Sequence, residues 1–417
     1  MERNIKIYPI YKLFSYDILF YYAISLLYLA NVKGLSLSQI ALASSIYSVA
    51  SIAWQLPASL IADKLGLRNS LVLGNICCLI YGILYIVAPS FPFLVCADVI
   101  CALGFALKGA SESPFIYSTL KKLGRVSEFS KIEGKGSSLY FIAEAIACIA
   151  AGYLFTINNY LPLIFSAICF LIPAILSFYM KPISNLKEEK TNAKERFTEL
   201  TSGFKFIFKS KRLHALFLFA ALFYGICSLS SLYIKTYLND ANVNSTLFGY
   251  IFAVASVASA IGSSLQEKIE KRFRNKTLSA VSFIYISTFI VLGVVSLLTK
   301  NYMVLLIAGA VIYLVQSYIR GAYRIIIKTY VSRYTTSSIR SKLMSIYYLA
   351  ESFGSAALLF VTSSIMDSVS IGLVYTMSGF ALSIVLIAVL NYMESRVGLK
   401  PENYGKSDRM DLQEQDN

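Results

Sequence analysis

Apolar residues are grouped along the chain in long runs, and short segments rich in charged and turn-forming residues separate these runs. Each run holds about twenty residues or more, which is enough for an α-helix to cross a hydrocarbon core of about 30 Å. The alternation of runs and breaks predicts twelve membrane-spanning helices. Their predicted limits are 9–31, 37–62, 70–89, 93–118, 135–156, 161–180, 212–238, 245–268, 277–298, 301–330, 341–366 and 370–394. The pattern therefore predicts an all-α, multi-pass membrane protein.

Composition strengthens this prediction and narrows the function classes. The 417 residues are 57% hydrophobic and 15% charged, whereas a soluble domain averages about 45–50% apolar and about 25% charged residues. The only histidine is His214, and no G-x-x-x-x-G-K-[ST] loop occurs to bind ATP. A membrane enzyme would need an interfacial cluster of histidines and acids or a metal triad. We therefore expect neither an enzyme nor a cofactor or metal site, and the seven cysteines lie within the apolar runs as small hydrophobic residues.

The distribution of basic residues predicts the orientation in the bilayer. With the N-terminus inside the cell, 32 of the 38 Lys and Arg residues fall on the cytoplasmic side, where such residues accumulate in membrane proteins. Both termini are thus predicted to be cytoplasmic. The formal net charge of +15 follows from this topology, so it requires no nucleic acid as a partner.

A long charged segment divides the predicted helices into two sets of six. Residues 1–180 form a predicted N-terminal bundle and residues 212–396 a C-terminal bundle. The linker at 181–211 contains aromatic and aliphatic residues at helical spacing between 194 and 208, which predicts an amphipathic helix on the inner membrane surface. The polar tail at 397–417 is expected to be disordered.

The two halves share an internal repeat. Residues 138–144 read SLYFIAE in span 5 and residues 345–351 read SIYYLAE in span 11, at an offset of 207. Residues 108–112 read KGASE in span 4 and residues 320–324 read RGAYR in span 10. Because an even number of spans separates the copies, both halves point the same way, as in parallel-repeat transporter folds.

The loop between spans 2 and 3 contains an aspartate, a glycine and basic residues at short spacing, and residues 59–68 read SLIADKLGLR. This segment resembles the pattern G-x-x-x-D-[RK]-x-G-[RK]-[RK] of the major facilitator superfamily. Asp63, Lys64, Gly66 and Arg68 match this pattern, whereas the positions of Ser59 and Leu67 depart from it. The resemblance implies two six-helix bundles around a central cavity lined by spans 1, 4, 7 and 10. It also implies alternating access, with the bundles rocking about that cavity.

The matching loop residues have a physical role that can be argued from their chemistry. Asp63 follows a helix at the cytoplasmic surface, where its carboxylate can cap an opposing helix or pair with Arg68. Such a contact would favour one of two conformational states. The alternative is that these charges serve only to orient the loop in the cytoplasm.

Ionisable residues inside a bilayer are costly and are candidates for function by default. The proton-coupling candidates are Asp17, Glu112, Glu144 and Glu351, and the substrate-cavity candidates are Lys108, Arg320, Arg324, Tyr21 and Tyr323. Glu112 can pair with Lys108 along its helix or with Arg324 across the cavity. A pair across the cavity would act as a gate and would leave Lys108 and Arg320 to attract an anionic group on a substrate. The alternative is that the cations only balance nearby acids. For each acid, a packing role remains an alternative to proton binding.

These observations lead to an expected function. We expect a secondary active transporter that exports a small molecule, such as a drug or metabolite, by proton coupling. The alternatives are a proton-coupled importer, an uncoupled facilitator and a non-transporting membrane sensor or immunity protein. No G-P-x-x-G-G element, often found in drug/proton antiporters of the family, is present in span 5. We expect a monomer in the cell membrane of a bacterium, and the composition and short loops are typical of Gram-positive species.

Overall fold

The computed structural model describes residues 1–183, 211–273, 276–333 and 337–397. In this part of the chain the secondary structure is helical. The first helices are Glu2–Ser15 (α1), Ser25–Leu27 (α2), Leu37–Leu65 (α3), Leu67–Val87 (α4), Phe91–Lys122 (α5), Phe129–Ile157 (α6) and Leu161–Tyr179 (α7). The remaining helices are Lys211–Asp240 (α8), Ser245–Ser264 (α9), Gln266–Phe273 (α10), Thr277–Leu298 (α11), Tyr302–Arg333 (α12), Ser337–Ser363 (α13) and Ile371–Val397 (α14).

The prediction of an all-α membrane fold is confirmed. Ten of the described helices combine the length and hydropathy of a membrane span, and spans 2 to 10 and 12 correspond to them. Span 11 corresponds to α13, a continuous helix of 27 residues that carries Arg340, Lys342 and Glu351. The predicted linker helix at 194–208 and the tail beyond Val397 lie outside the described residues.

The prediction of a continuous first span at 9–31 is wrong. The helix α1 ends at Ser15, and regular helix returns only at Ser25. A π-helical turn from Tyr28 to Val32 then completes the segment. No glycine or proline lies between residues 16 and 24, so the apolar pattern there gave no signal of a break.

The described helices form two compact units. The first unit contains α1 to α7 together with residues Asn244–Ala253, which include the start of α9. The second unit contains the other described helices and the rest of α9. The interior of the first unit includes a cluster of buried apolar side chains from several helices: Tyr8, Tyr11, Leu71, Phe115, Ile116, Leu120, Ile132 and Met180. This cluster holds α1 against α5 and α6, whose charged residues are described below.

Aromatic rings and close helix contacts form the interior of the second unit. Phe223 on α8 lies 4.4 Å from Tyr323 and 5.3 Å from Tyr285, between ring centroids. A Cβ atom added to Gly225 would lie 2.6 Å from the carbonyl oxygen of Gly354. The two glycines therefore let α8 and α13 approach closely, as small residues commonly do in membrane bundles.

Local chemistry explains several helix ends. The Ser36 hydroxyl accepts a hydrogen bond from the Gln39 N–H at 3.2 Å, and the Gln39 side chain accepts one from the Ser36 N–H at 3.0 Å. This capping box starts α3. Gly66 joins α3 to α4 with φ +82° and ψ 153°, a conformation that is essentially restricted to glycine.

Candidate functional site

A cluster of charged and polar side chains joins three helices of the first unit. Lys12 on α1 forms ion pairs with Glu112 on α5, at 3.6 Å, and with Glu133 on α6. Glu133 also accepts hydrogen bonds from the hydroxyls of Tyr8, at 2.9 Å, and Ser113, at 2.5 Å. These five residues are called the Lys12 cluster. It places two carboxylates on a single ammonium group.

The packing of α1 against α6 allows the Lys12 cluster to form. Tyr8 and Lys12 are four residues apart and share a face of α1. A Cβ atom on Gly136 would lie 2.9 Å from the Cβ of Lys12, so this glycine leaves room for the lysine stem. The side chains of Lys12, Glu112 and Glu133 are 8%, 13% and 16% exposed. At this burial, loss of one partner would leave an uncompensated charge inside the protein.

The cluster differs from the pairing expected for Glu112. The structure gives Glu112 an ion pair with Lys12, whereas the sequence suggested Lys108 or Arg324. Lys12 lies near the start of the predicted first span, and Glu133 lies just before the predicted start of span 5. Sequence reasoning therefore missed both residues. The only available signal was the Tyr8 and Lys12 spacing on one helix face.

Lys108 contacts the end of α1. Its side-chain ammonium donates a hydrogen bond to the carbonyl oxygen of Ser15, and it lies 4.3 Å from the ring centroid of Phe105. The residue is only 2% exposed. A cation at the C-terminal end of a helix complements the helix dipole and satisfies a carbonyl that has no intrahelical partner. The contact favours a positioning role for Lys108.

Asp17 lies in the non-helical segment that follows α1, and its residue is exposed. Its carboxylate accepts a hydrogen bond of 2.7 Å from the N–H of Ile18. The carbonyl oxygen of Leu19 accepts a hydrogen bond from the hydroxyl of Ser166 on α7. Phe20 has φ +62°, a left-handed conformation that costs a non-glycine residue about 1–3 kcal/mol. Segment 16–24 is thus a defined break held by side chains of α5 and α7.

Tyr21 belongs to an aromatic group beside this break. Its ring centroid lies 5.7 Å from that of Tyr85 and 6.4 Å from that of Tyr28, in both cases edge to face. Asp98 on α5 is buried and lies within electrostatic range of Tyr21. The aromatic candidate of the first unit therefore lies near the carboxyl group of Asp98.

In the second unit, Glu351 on α13 is buried and accepts a hydrogen bond from the hydroxyl of Tyr347. Arg324 and Lys328 on α12 are close enough to attract its charge. Arg324 is exposed and Arg320 is half-buried. Tyr323 is 1% exposed and packs on Phe223, which favours packing over direct contact with a substrate.

The internal repeat is visible at the level of a hydrogen bond. Tyr140 on α6 donates a hydrogen bond of 2.9 Å to Glu144, and Tyr347 on α13 donates one to Glu351. Both donors and both acceptors are related by the offset of 207. Each unit thus contains one carboxylate bound by a tyrosine one helical turn away.

The family-like loop residues lie at the junction of α3 and α4. Asp63 and Lys64 are exposed, Gly66 makes the turn, and Arg68 is half-buried. The guanidinium of Arg68 donates a hydrogen bond of 2.5 Å to the carbonyl oxygen of Phe178, near the C-terminal end of α7. Arg68 therefore ties the loop to a third helix of its own unit, a contact that the sequence did not suggest.

Two further polar contacts have structural explanations. His214 lies in α8, and its ring nitrogen Nδ1 is 3.2 Å from the hydroxyl of Tyr392 on α14. The exposed Arg125 guanidinium donates hydrogen bonds to the carboxylates of Glu128 and Glu2, and these bonds raise its pKa above the ordinary value. Across the described residues, no group of three or more His, Cys, Asp or Glu side chains could hold a metal ion.

Sequence comparison gives a family match over most of the chain. The sequence model of the Major Facilitator Superfamily matches residues 13–319 of this chain. A Bacillus subtilis (strain 168) protein, described as the uncharacterized MFS-type transporter YxaM, is 25% identical over 265 residues. The match covers 62% of this chain and 64% of that relative. The chain thus matches just under two thirds of the relative's length.

Structural comparison gives the same fold at low sequence identity. The nucleoside transporter NupG superposes with a TM-score of 0.72 at 14% identity, covering 94% of this chain and 100% of NupG. A D-xylose-proton symporter superposes with a TM-score of 0.72 at 12% identity, covering 96% and 99% of the two chains. A bacterial homolog of the human lysosomal transporter Spinster gives 0.60 at 14% identity, covering 99% and 97%.

Proposed function

The chain belongs to the major facilitator superfamily of multi-pass membrane transporters, and on that premise we propose that it is a proton-coupled secondary transporter of a small molecule. It works by alternating access, as a monomer in the cell membrane with both termini in the cytoplasm. The proposed direction is export. Import is the alternative, because the structural relatives include a nucleoside transporter and a D-xylose-proton symporter.

The observation that carries the proposal is the repeated tyrosine–glutamate hydrogen bond. Glu144 and Glu351 lie about ten residues, or roughly 15 Å, into their helices from the predicted cytoplasmic ends. A carboxylate at such depth is costly unless it has a partner or a function. The phenolic donors stabilise the charged forms, and protonation would remove that charge. The pair thus supplies two groups that can take up and release protons.

The first prediction is that proton flux depends on these two carboxylates. The protein is reconstituted in proteoliposomes with an imposed pH gradient, and a mixed compound library is screened for compound-induced proton movement. Wild type is compared with Glu144→Gln, Glu351→Gln and the double variant. We expect compound-induced flux in wild type and its loss in the double variant, because the amide cannot carry a proton. Glu267→Gln, at an exposed position on α10, is the matched control and retains the flux.

The remaining outcomes distinguish the alternatives. Flux that survives in the double variant would contradict the role of the pair and direct the same test to Asp17→Asn and Glu112→Gln. Compound movement without any proton movement would identify an uncoupled facilitator. Movement of neither protons nor compounds would favour a sensor or immunity protein with this fold.

A further inference from the structure

The interruption of the first span has a physical consequence. Segment 16–24 separates α1 from α2 and leaves backbone N–H and C=O groups outside a regular helix. Inside a bilayer, non-helical backbone is tolerated only where protein covers it or where it lines a water-filled cavity. Two residues at the start of this segment are exposed: Tyr16 is 40% exposed, and Asp17 is exposed as well. A carboxylate facing lipid would be costly, so this side of the segment requires water.

The depth of the segment follows from its contacts. Ser15, at the start of the break, binds Lys108 near the middle of α5, a helix of 32 residues. Leu19 binds Ser166, five residues after the start of α7. The break therefore begins near the middle of the membrane and continues toward the end of the bundle at which α7 starts.

The charges around the break favour a cation. Asp17 supplies an exposed carboxylate, and the C-terminal end of α1 adds the negative end of a helix dipole. Lys108, which contacts the start of the break, is buried and donates a hydrogen bond to the Ser15 carbonyl. Lys12, one turn earlier, is engaged by Glu112 and Glu133.

Aromatic rings complete the surroundings of the break. The ring of Tyr16 lies 4.5 Å from that of Tyr140, and Phe20 lies 5.7 Å from Phe165. The faces of such rings attract ammonium groups, and more strongly where water is partly excluded. Carboxylate, carbonyl dipoles and ring faces are the groups that bind an organic cation.

We propose that segment 16–24 is a hydrated binding site for the ammonium group of a small organic cation, with Asp17 as its counter-ion and Lys108 as the positioning residue that holds the end of α1. The proposal rests on the proposed function and names the substrate class of the first unit. A transporter with discontinuous spans commonly uses unwound backbone for binding. In this chain the break supplies both the unwound backbone and the carboxylate of Asp17.

The experiment measures water access and local charge without requiring transport. Tyr16→Cys is made in a Cys96→Ala background, because Cys96 is exposed whereas the other six cysteines are buried. The thiol is treated with a cationic trimethylammonium-ethyl or an anionic sulfonato-ethyl methanethiosulfonate, in the full-length protein in nanodiscs. Ile18→Cys is a second variant, since loss of the Tyr16 ring could disturb packing. Leu19→Cys, at a position that is 4% exposed, is the matched buried control.

The expected result is a charge-selective reaction in the break. The cationic reagent modifies position 16 or 18 about tenfold faster than the anionic one, relative to a free thiol, since a cleft of one charge raises the local concentration of counter-ions by that order. Asp17→Asn removes most of this preference. Position 19 stays unreactive. No reaction at 16 and 18, or a preference for the anionic reagent, would overturn the proposal.

The ligand class is tested with three probes that share one aromatic body. Phenethylamine, 2-phenylethanol and phenylacetate are compared for their ability to slow the modification of the same thiol by neutral methyl methanethiosulfonate. We expect slowing by the amine alone, and loss of that slowing in Asp17→Asn. Equal slowing by all three, slowing by phenylacetate, or no slowing by any probe would overturn the substrate class.

Lys108 is tested by the same readout. Lys108→Met is expected to release the end of α1, so that Leu19→Cys becomes reactive, whereas Lys108→Arg keeps it protected. These experiments measure access and binding only. The proposed transport function can therefore fail in the flux assay while the hydrated cation site remains, and the reverse outcome is equally distinguishable.

Discussion

At the scale of single residues, Lys12 joins three helices of the first unit by charge. It forms ion pairs with Glu112 and Glu133, and all three side chains are mostly buried. A buried pair contributes little compared with a well-packed apolar substitute, but removal of one partner leaves a charge that no group compensates. The stability of this unit should therefore depend on keeping the cluster complete, more than on the number of charges it contains.

Lys12→Met should lower the free energy of unfolding by about 3–5 kcal/mol, because Glu133 and Glu112 lose their counter-ion. Adding Glu133→Gln to that variant should recover part of the loss, and the two substitutions should be non-additive, as expected for contacting residues. Unfolding of the purified protein in detergent, followed by circular dichroism, measures each variant of this cycle. Lys6→Met, at an exposed position of the same helix, should change the stability little. Additive losses would show that Lys12 and Glu133 are not energetically coupled.

The residue scale also shows what the sequence could and could not reveal. Glu144 and Glu351 were named as candidates because an internal repeat and an apolar setting both marked them, and their tyrosine donors share that repeat. Lys12 and Glu133 were missed because each lies at the edge of an apolar run, where a charge is ordinary. Folding brings such edge residues together, and a hydropathy pattern predicts the apolar run but not the contacts that its ends make.

At the scale of helices, the close approach of α4 and α5 depends on Gly74 and Gly104. A Cβ on Gly104 would lie 2.9 Å from the carbonyl oxygen of Gly74 and 2.8 Å from the Sγ of Cys78. Five residues later on the same helix, Gly109 has nothing within 4 Å of the corresponding position. Gly104 and Gly109 lie on the same helix, but Gly104 packs closely against α4 and Gly109 does not. The two positions therefore form a matched pair.

Gly104→Ala should destabilise the protein by about 1–3 kcal/mol, because overpacking forces the two helices apart. Gly109→Ala should be neutral or stabilising by up to about 1 kcal/mol, since alanine loses less backbone entropy in a helix. Thermal unfolding in detergent compares the two variants directly. Equal effects at both positions would mean that helix propensity, and not the contact with α4, decides the result.

The helix boundaries themselves were largely predictable, with one instructive exception. Eleven predicted spans correspond to helices because periodic apolar runs end at charges, glycines or prolines that also end helices. Span 1 was predicted as continuous because residues 16–24 contain no breaking residue. The break depends on partners distant in sequence, Lys108 and Ser166, which satisfy its carbonyl groups. Tertiary contacts of this kind override local propensity and are not recorded in a local pattern.

At the scale of the whole molecule, the internal repeat and the distribution of basic residues predict the same membrane topology. A duplication with an even number of spans keeps both halves in the same orientation, so every second loop of either half should face the cytoplasm. The basic residues follow that alternation. In the second unit, Lys268 on α10 and Lys300 lie on opposite sides of the single span α11, and both residues are exposed. They are predicted to face opposite sides of the membrane.

Labelling from outside the cell tests this orientation. Lys300→Cys and Lys268→Cys are made separately in the Cys96→Ala background and treated with a membrane-impermeant maleimide in intact cells and after permeabilisation. Position 300 should react in intact cells, whereas position 268 should react only after permeabilisation, because one span of 22 residues separates them. The reversed pattern would place the basic loops outside and both termini with them. Reaction of both positions in intact cells would instead contradict the prediction that α11 crosses the bilayer, and with it the six-plus-six arrangement on which the parallel orientation of the two halves depends.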